Sequence, residues 1–268
     1  MLRILLLLPV FVGLMHPTYS SQFQKDGISH SDSLLLSKKS LLRLQIEHDF
    51  QLKSHPSSKA ELYAVIQKAI VDANPRREGT VDSEVVHLSH ELVRVSSCYG
   101  VDPVVYTGLI WRESNFKQAA VSGRKAVGIT QMTSAGIQEV LERLSPISHK
   151  RLGYLRSLVK KCNPNFMDRV PYEVSADTIG AWRNTVVFSR TDALVMGALL
   201  LKINLARAPA HLQSNQIETY RVALEHYNGD RSIKIQFAQD VLMLAKRMIA
   251  LPEVAFNDSK FLSQIRGL

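Results

Sequence analysis

The residue best placed to do chemistry is Glu113. In PVVYTGLIWRE over 103–113, Tyr106, Leu109, Ile110 and Glu113 recur at i, i+3, i+4 and i+7. On a 3.6-residue period these four share one helix face. Three are apolar or aromatic, so a stripe built for burial ends in a carboxylic acid. Partial burial penalises the charged form, and the last turn of a helix disfavours a negative charge. Both effects raise the carboxyl above its usual value near 4.3. An acid that still holds its proton near neutrality can protonate an oxygen leaving group as its bond breaks, which is what rupture of a glycosidic bond requires. Periodicity alone also fits a carboxylate paired with a nearby Arg or Lys, or one turned to solvent at a frayed helix end.

Other groups could complete such a site. Ser122-Gly123 and Gly128 would let backbone approach closely, either to a ligand or to another helix. Gln131 can both donate and accept hydrogen bonds, as hydroxyl- and amide-bearing ligands demand. Tyr227-Asn228-Gly229 reads as the end of a helix, with a hydroxyl free to reach a substrate or an acid. The same letters also make ordinary turns. Trp111 and Trp182 could stack on sugar rings, and Trp111 fits a core equally well. His87, His90 and Glu91 do not form the H-E-x-x-H of a zinc site, and helix-surface histidines are the simpler reading. Cys98 has no histidine signature around it. Glu225 and Asp230 are the nearest sequence candidates for a second carboxylate, although solvated surface roles suit them better.

Helices must position these groups. Apolar spacing predicts helices over 34–54, 59–73, 82–99, 103–113, 136–144, 190–206, 215–227 and 234–249. Asp102 is a good N-cap and Pro103 suits the first helical position. Residues 120–136 read as a loop, and 145–189, with Pro146, Pro164, Pro171 and Gly180, resist assignment. No convincing alternating strand occurs. The expected fold is all-α. Its divisions are a signal peptide at 1–20, a small helical appendage and linker at 21–80, a catalytic domain at 81–250 and a tail at 251–268.

The 268 residues are 46% hydrophobic and 21% charged, with a formal net charge of +9, enough for one medium domain with a real core. Met1-Leu2-Arg3, the apolar run ILLLLPVFVGLM and then HPTYS have the three-part layout of a secretory signal, with cleavage expected after Ser20. A buried N-terminal helix is the alternative. Export would place the protein in the periplasm or outside the cell. No later stretch has the roughly 18 apolar residues needed to span a membrane. An exported chain permits a disulfide between its only two cysteines, Cys98 and Cys162, the alternative being two buried thiols. The basic pairs Lys38-Lys39, Arg76-Arg77, Lys160-Lys161 and Lys246-Arg247 are scattered, which argues against a nucleic-acid groove and suits an acidic polymer.

Four ordered blocks resemble the SLT-type lytic transglycosylases, relatives of goose-type lysozyme. They are Tyr99-Gly100-Val101-Asp102-Pro103, Glu113-Ser114-Asn115-Phe116, Ser122-Gly123-Arg124-Lys125-Ala126-Val127-Gly128-Ile129-Thr130-Gln131 and His226-Tyr227-Asn228-Gly229. The resemblance covers roughly 84–250. It implies a lysozyme-like helical domain that needs no cofactor. Such a domain cleaves the β-1,4 bond between N-acetylmuramic acid and N-acetylglucosamine in peptidoglycan, leaving a 1,6-anhydro end, with Glu113 as acid and then base. It further implies that Ser114 and Tyr227 align the acid and the sugar, that Gln131 and the backbone at Gly128-Ile129 bind sugar groups, and that Asn228 braces the cleft. The chain departs from the family pattern at Lys125 (often Gly), Thr130 (often Met), Thr133-Ser134 (usually Met-Pro) and Leu200 (often Tyr), and in the longer 145–189 stretch. A hydrolytic muramidase and a non-catalytic wall-binding factor are the competing readings.

Overall fold

In a computed structural model, the structure describes residues 58–74, 83–229 and 232–250. The expected signal peptide at 1–20, the helix over 34–54, Asp230 and the tail at 251–268 lie outside the described residues. Those described are helical, with no strand among them. Helix α1 spans Lys59–Asp72, α2 Ser83–Tyr99, α3 Pro103–Ser114, α4 Ser134–Leu144, α5 Gly153–Cys162, α6 Pro164–Asp168 and α7 Ala176–Phe188. Then come α8 at Arg190–Ala206, a 3₁₀ turn at Ala210–Leu212, α9 at Gln216–Asn228 and α10 at Lys234–Ile249.

Local chemistry sets the helix starts. Asp102 accepts from the backbone N–H groups of Val104 (2.9 Å) and Val105 (3.0 Å), and Pro103 opens α3 where no N–H is needed. Ser58 and Glu61 form a reciprocal capping box on α1. Within 145–189, Pro164 stands at the first turn of α6 and Ser175 with Thr178 caps α7. The stretch therefore holds three helices, with Pro164 opening one of them and Gly180 lying inside another.

Two helices form the centre. Every residue from Val104 to Ile110 in α3 is buried, and so is every residue from Asp192 to Leu201 in α8. Such all-round burial explains why neither helix is strongly amphipathic. Helix α3 packs against α10 and also meets α1 and α2, while α8 is surrounded by α2, α4, α7 and α9. The α3–α10 approach depends on Gly108, where a Cβ would lie 2.9 Å from the Val241 carbonyl oxygen. Ile66 and Ile70 of α1 belong to the same buried cluster as Leu92, Leu109 and Leu199. Helix α1 is thus joined to the later helices through shared core, and through a Gln67 Nε2 to Ser89 Oγ hydrogen bond of 3.2 Å.

Cys98 near the end of α2 and Cys162 at the end of α5 form a disulfide, with Cα atoms 6.0 Å apart and a sequence separation of 64. It anchors the 145–189 region to the centre. Thiol titration of the denatured, unreduced protein is expected to find no free thiol in the described domain. Replacing both cysteines by Ser should remove up to about 4 kcal/mol, the chain-entropy value for a loop of this size. At roughly 2–4 °C per kcal/mol for a domain of this length, thermal unfolding would fall by about 8–15 °C. An unchanged midpoint would show that the bridge does not form in solution.

Candidate active site

Helix α3 delivers Glu113 in its last turn, half-buried, below a stripe in which Tyr106, Leu109 and Ile110 are fully buried. The helix stops at once: Asn115 and Phe116 both adopt left-handed backbone, with φ of 50° and 60°. Such torsions cost a non-glycine residue roughly 1–2 kcal/mol each, and together they turn the chain sharply away from the acid. The paired alternative from the sequence does not hold. Arg112 pairs with Asp240 at 2.9 Å, and no hydrogen bond or ion pair reaches the Glu113 carboxyl among the described residues. Burial raises its pKa from 4.5 to about 8, with the nearby Arg112 charge pulling weakly the other way.

The loop after α3 is braced from inside. Val127 N–H donates to the Met132 carbonyl at 3.0 Å, and Met132 N–H donates back to Val127 at 2.8 Å. Gly128 takes φ +79°, and a Cβ there would sit 2.6 Å from the Val186 carbonyl oxygen. The glycine therefore serves close approach to α7. Ile129 is fully buried in the core. Gln131, itself at φ 48°, donates through Nε2 to the carbonyls of Ala120 and Gly128, both at 2.9 Å. Its amide nitrogen is committed to bracing the loop. Gln118 donates to the Val186 and Val187 carbonyls at 3.2 and 3.0 Å, tying the same loop to the end of α7.

Tyr227 comes to the acid from α9. Its hydroxyl donates to the Thr130 carbonyl at 3.0 Å and lies 3.6 Å from Met132 Sδ. Burial raises its pKa well above 10, and the Glu113 carboxylate and then Tyr106 raise it further. Glu113 and Tyr227 are thus electrostatic neighbours without a direct hydrogen bond. Ser114 is buried and its hydroxyl donates back to the Ile110 carbonyl at 3.2 Å, not to Glu113. Asn228 is the last residue of α9, followed by Gly229 in left-handed conformation at φ 68°.

Two residues to which the sequence assigned no site role belong to this setting. Tyr106 is fully buried, and its hydroxyl donates to the Leu194 carbonyl at 2.5 Å. Thr130 Oγ1 donates to the Ala193 carbonyl at 3.1 Å while its own carbonyl holds Tyr227. Both press on Gly197 of α8, where a Cβ would meet Thr130 Cγ2 at 2.7 Å and the Tyr106 hydroxyl at 3.1 Å. A polar residue inside an apolar helix stripe, and a threonine where the resembled family often has Met, were the available signals. Leu200 is buried and packs where a Cβ on Gly136 would be 3.1 Å from its Cδ2. Trp182 does not offer a sugar platform. It is core, with its ring 4.8 Å from Phe166 and 5.5 Å from the Arg169 guanidinium. Glu91 accepts from Arg190 at 2.7 Å, His90 stacks on Tyr63 at 4.3 Å, and Glu225 is bound to Arg221.

An unpaired, half-buried acid with a raised pKa, a neighbouring phenol and a hydrogen-bonded loop can carry out general acid and then general base catalysis. Compared with known families, residues 94–168 match the Transglycosylase SLT domain, a span that includes Glu113, Gly128 and Gln131 and stops short of Tyr227. No curated protein and no solved structure matches the chain. Among the described residues, no helix is long and apolar enough to cross a membrane.

Proposed function

We propose that this chain, which carries a transglycosylase SLT domain at 94–168, is a peptidoglycan lytic transglycosylase with Glu113 as its single acid and base. The observation that carries this reading is the Glu113 carboxyl: half-buried, without an ion-pair partner among the described residues, and raised to about 8. Below that value the group is mostly protonated. It gives its proton to the glycosidic oxygen between N-acetylmuramic acid and N-acetylglucosamine as the C–O bond breaks. The resulting carboxylate then takes the proton of the muramoyl 6-hydroxyl as that oxygen attacks the anomeric carbon. The product is a 1,6-anhydro end, and no water is added. A pKa close to working pH suits one residue to both transfers.

A two-carboxylate glycosidase needs a second acid facing the bond. Glu225, the candidate nearest in sequence, is bound to Arg221. The substrate's N-acetyl group can stabilise the developing positive charge in place of that acid, so a single carboxyl is sufficient. Tyr227, held by Thr130, would act on the acid through its charge, as a close neighbour without a direct hydrogen bond. Gln131 would accept sugar donors through Oε1, since its nitrogen is committed. Ser114, Asn228 and the Gly128-Ile129 backbone would shape the cleft floor. No cofactor enters the scheme. Peptidoglycan lies outside the cytoplasm, and the signal-like N-terminus agrees with a periplasmic or secreted site of action.

Mass spectrometry of digested wall is the test. Products should lack the one water that a reducing end carries. If every product carries a reducing end, the enzyme is a hydrolase. If wild-type protein digests no wall across a range of pH, the domain only binds glycan.

A further inference from the structure

Between Glu113 and Glu139 the chain holds Lys117, Arg124 and Lys125 and no Asp or Glu. Two of these cations sit together on a tight, closed tip. Ser122 N–H donates to the Ala126 carbonyl at 3.0 Å, Ala126 N–H to Ser122 Oγ at 3.0 Å, and Lys125 N–H to the Ser122 carbonyl at 2.9 Å. Arg183 of α7 clamps the tip, donating to the Lys125 carbonyl at 2.8 Å and to Ser134 Oγ at 3.2 Å. The tip is therefore rigid and its backbone satisfied. Yet Lys125 occupies φ +62°, a conformation in which glycine is relaxed and a side chain is strained. Lys125 is exposed, and its ammonium has no partner among the described residues. Nothing internal accounts for a lysine there.

The tip belongs to the active-site loop. Two residues on, at most about 7 Å along the chain, Val127 pairs with Met132, whose sulfur touches the Tyr227 hydroxyl. We propose that Lys125 is a specificity-determining cation that recognises carboxylates on the peptide stems of the glycan strand, so that stem-bearing strands are cut in preference to bare ones. This rests on the glycan-cleaving function above. An ammonium on a flexible stem binds such groups as a point charge. Being exposed, it is weakened by salt. Wall phosphates share the anionic chemistry, so the substrates must separate the two.

The experiment measures kcat/KM on three substrates: stem-bearing strands, strands stripped of stems, and strands whose stem carboxylates are amidated. All three are free of phosphate polymer. Wild type is expected to favour free-carboxylate stems by about three- to fivefold, the range of an exposed ion pair, and to lose this preference at high salt. Lys125→Gly should bring the ratio to near one, and Lys125→Arg should keep it. Because glycine is relaxed at this φ, Lys125→Gly should melt no lower than wild type. A lower midpoint would make Lys125 structural and overturn the proposal. So would an unchanged ratio in Lys125→Gly, or equal cleavage of amidated and free stems. Failure of wild type to cut any of the three would instead defeat the glycan-cleaving reading itself.

Discussion

Glu113→Gln is expected to abolish glycan cleavage and, at alkaline pH, to stabilise the fold. The activity loss should be about 10²- to 10⁴-fold in kcat/KM, the contribution of a positioned general acid, while glycan binding persists because the amide keeps the shape of the side chain. Wild-type activity should decline as pH rises through about 8, where the group loses its proton. The stability effect follows from the same burial. Between pH 4.5 and about 8 the folded state holds a proton on Glu113 that the unfolded state has released. The unfolded state therefore binds fewer protons, and wild-type stability falls as pH rises across that window. At 1.36 kcal/mol per pH unit the penalty on the buried anion is at most about 5 kcal/mol, and water reaching a half-buried side chain reduces it to roughly 2–3 kcal/mol. Gln escapes this penalty. The two proteins should unfold at similar temperatures near pH 4, and the variant should unfold several degrees higher at pH 8.5. Equal melting at both pH values would mean that Glu113 is solvated, and undiminished digestion would mean that the acid lies elsewhere.

Gly128→Ala should be the most damaging small substitution in the site loop. Its φ of +79° disfavours any side chain, and the new methyl would sit 2.6 Å from the Val186 carbonyl oxygen. The torsion costs about 1–2 kcal/mol, and forcing α7 away adds roughly 1–3 kcal/mol of overpacking. A drop of about 2–5 kcal/mol corresponds to some 4–20 °C at roughly 2–4 °C per kcal/mol. Activity should fall with it, because the Gly128 carbonyl receives both the backbone N–H and the side-chain nitrogen of Gln131. Displacing it loosens Thr130 and so Tyr227. Gly123→Ala in the same loop is the control: nothing lies within 4 Å of its added carbon, and it should be nearly silent. Calorimetry of the two variants side by side decides the matter. Equal melting temperatures would refute the close approach of α7.

Local chain geometry made much of this molecule legible. Apolar spacing, long apolar runs and end signals are properties of neighbouring residues, so the helices at 59–72, 83–99, 103–114, 190–206 and 234–249 could be read almost to their ends. The cap at Asp102 and the acid closing the α3 stripe were visible for the same reason. Helices α5 to α7 were not, because they are interrupted by prolines and are held by packing on α2, α4 and α8 and by a disulfide to a residue 64 positions away. The ionisation of Glu113 was legible only as a tendency. Its size depends on what excludes water and on which cations are already engaged, and those groups, Tyr227 and Asp240, lie more than a hundred residues away in sequence. Likewise, only the tertiary structure decided that Gly128 makes room for a helix and that the Gln131 nitrogen faces inward. Periodicity is set by bonds along the chain, whereas desolvation and close contact are set by whatever the fold brings alongside.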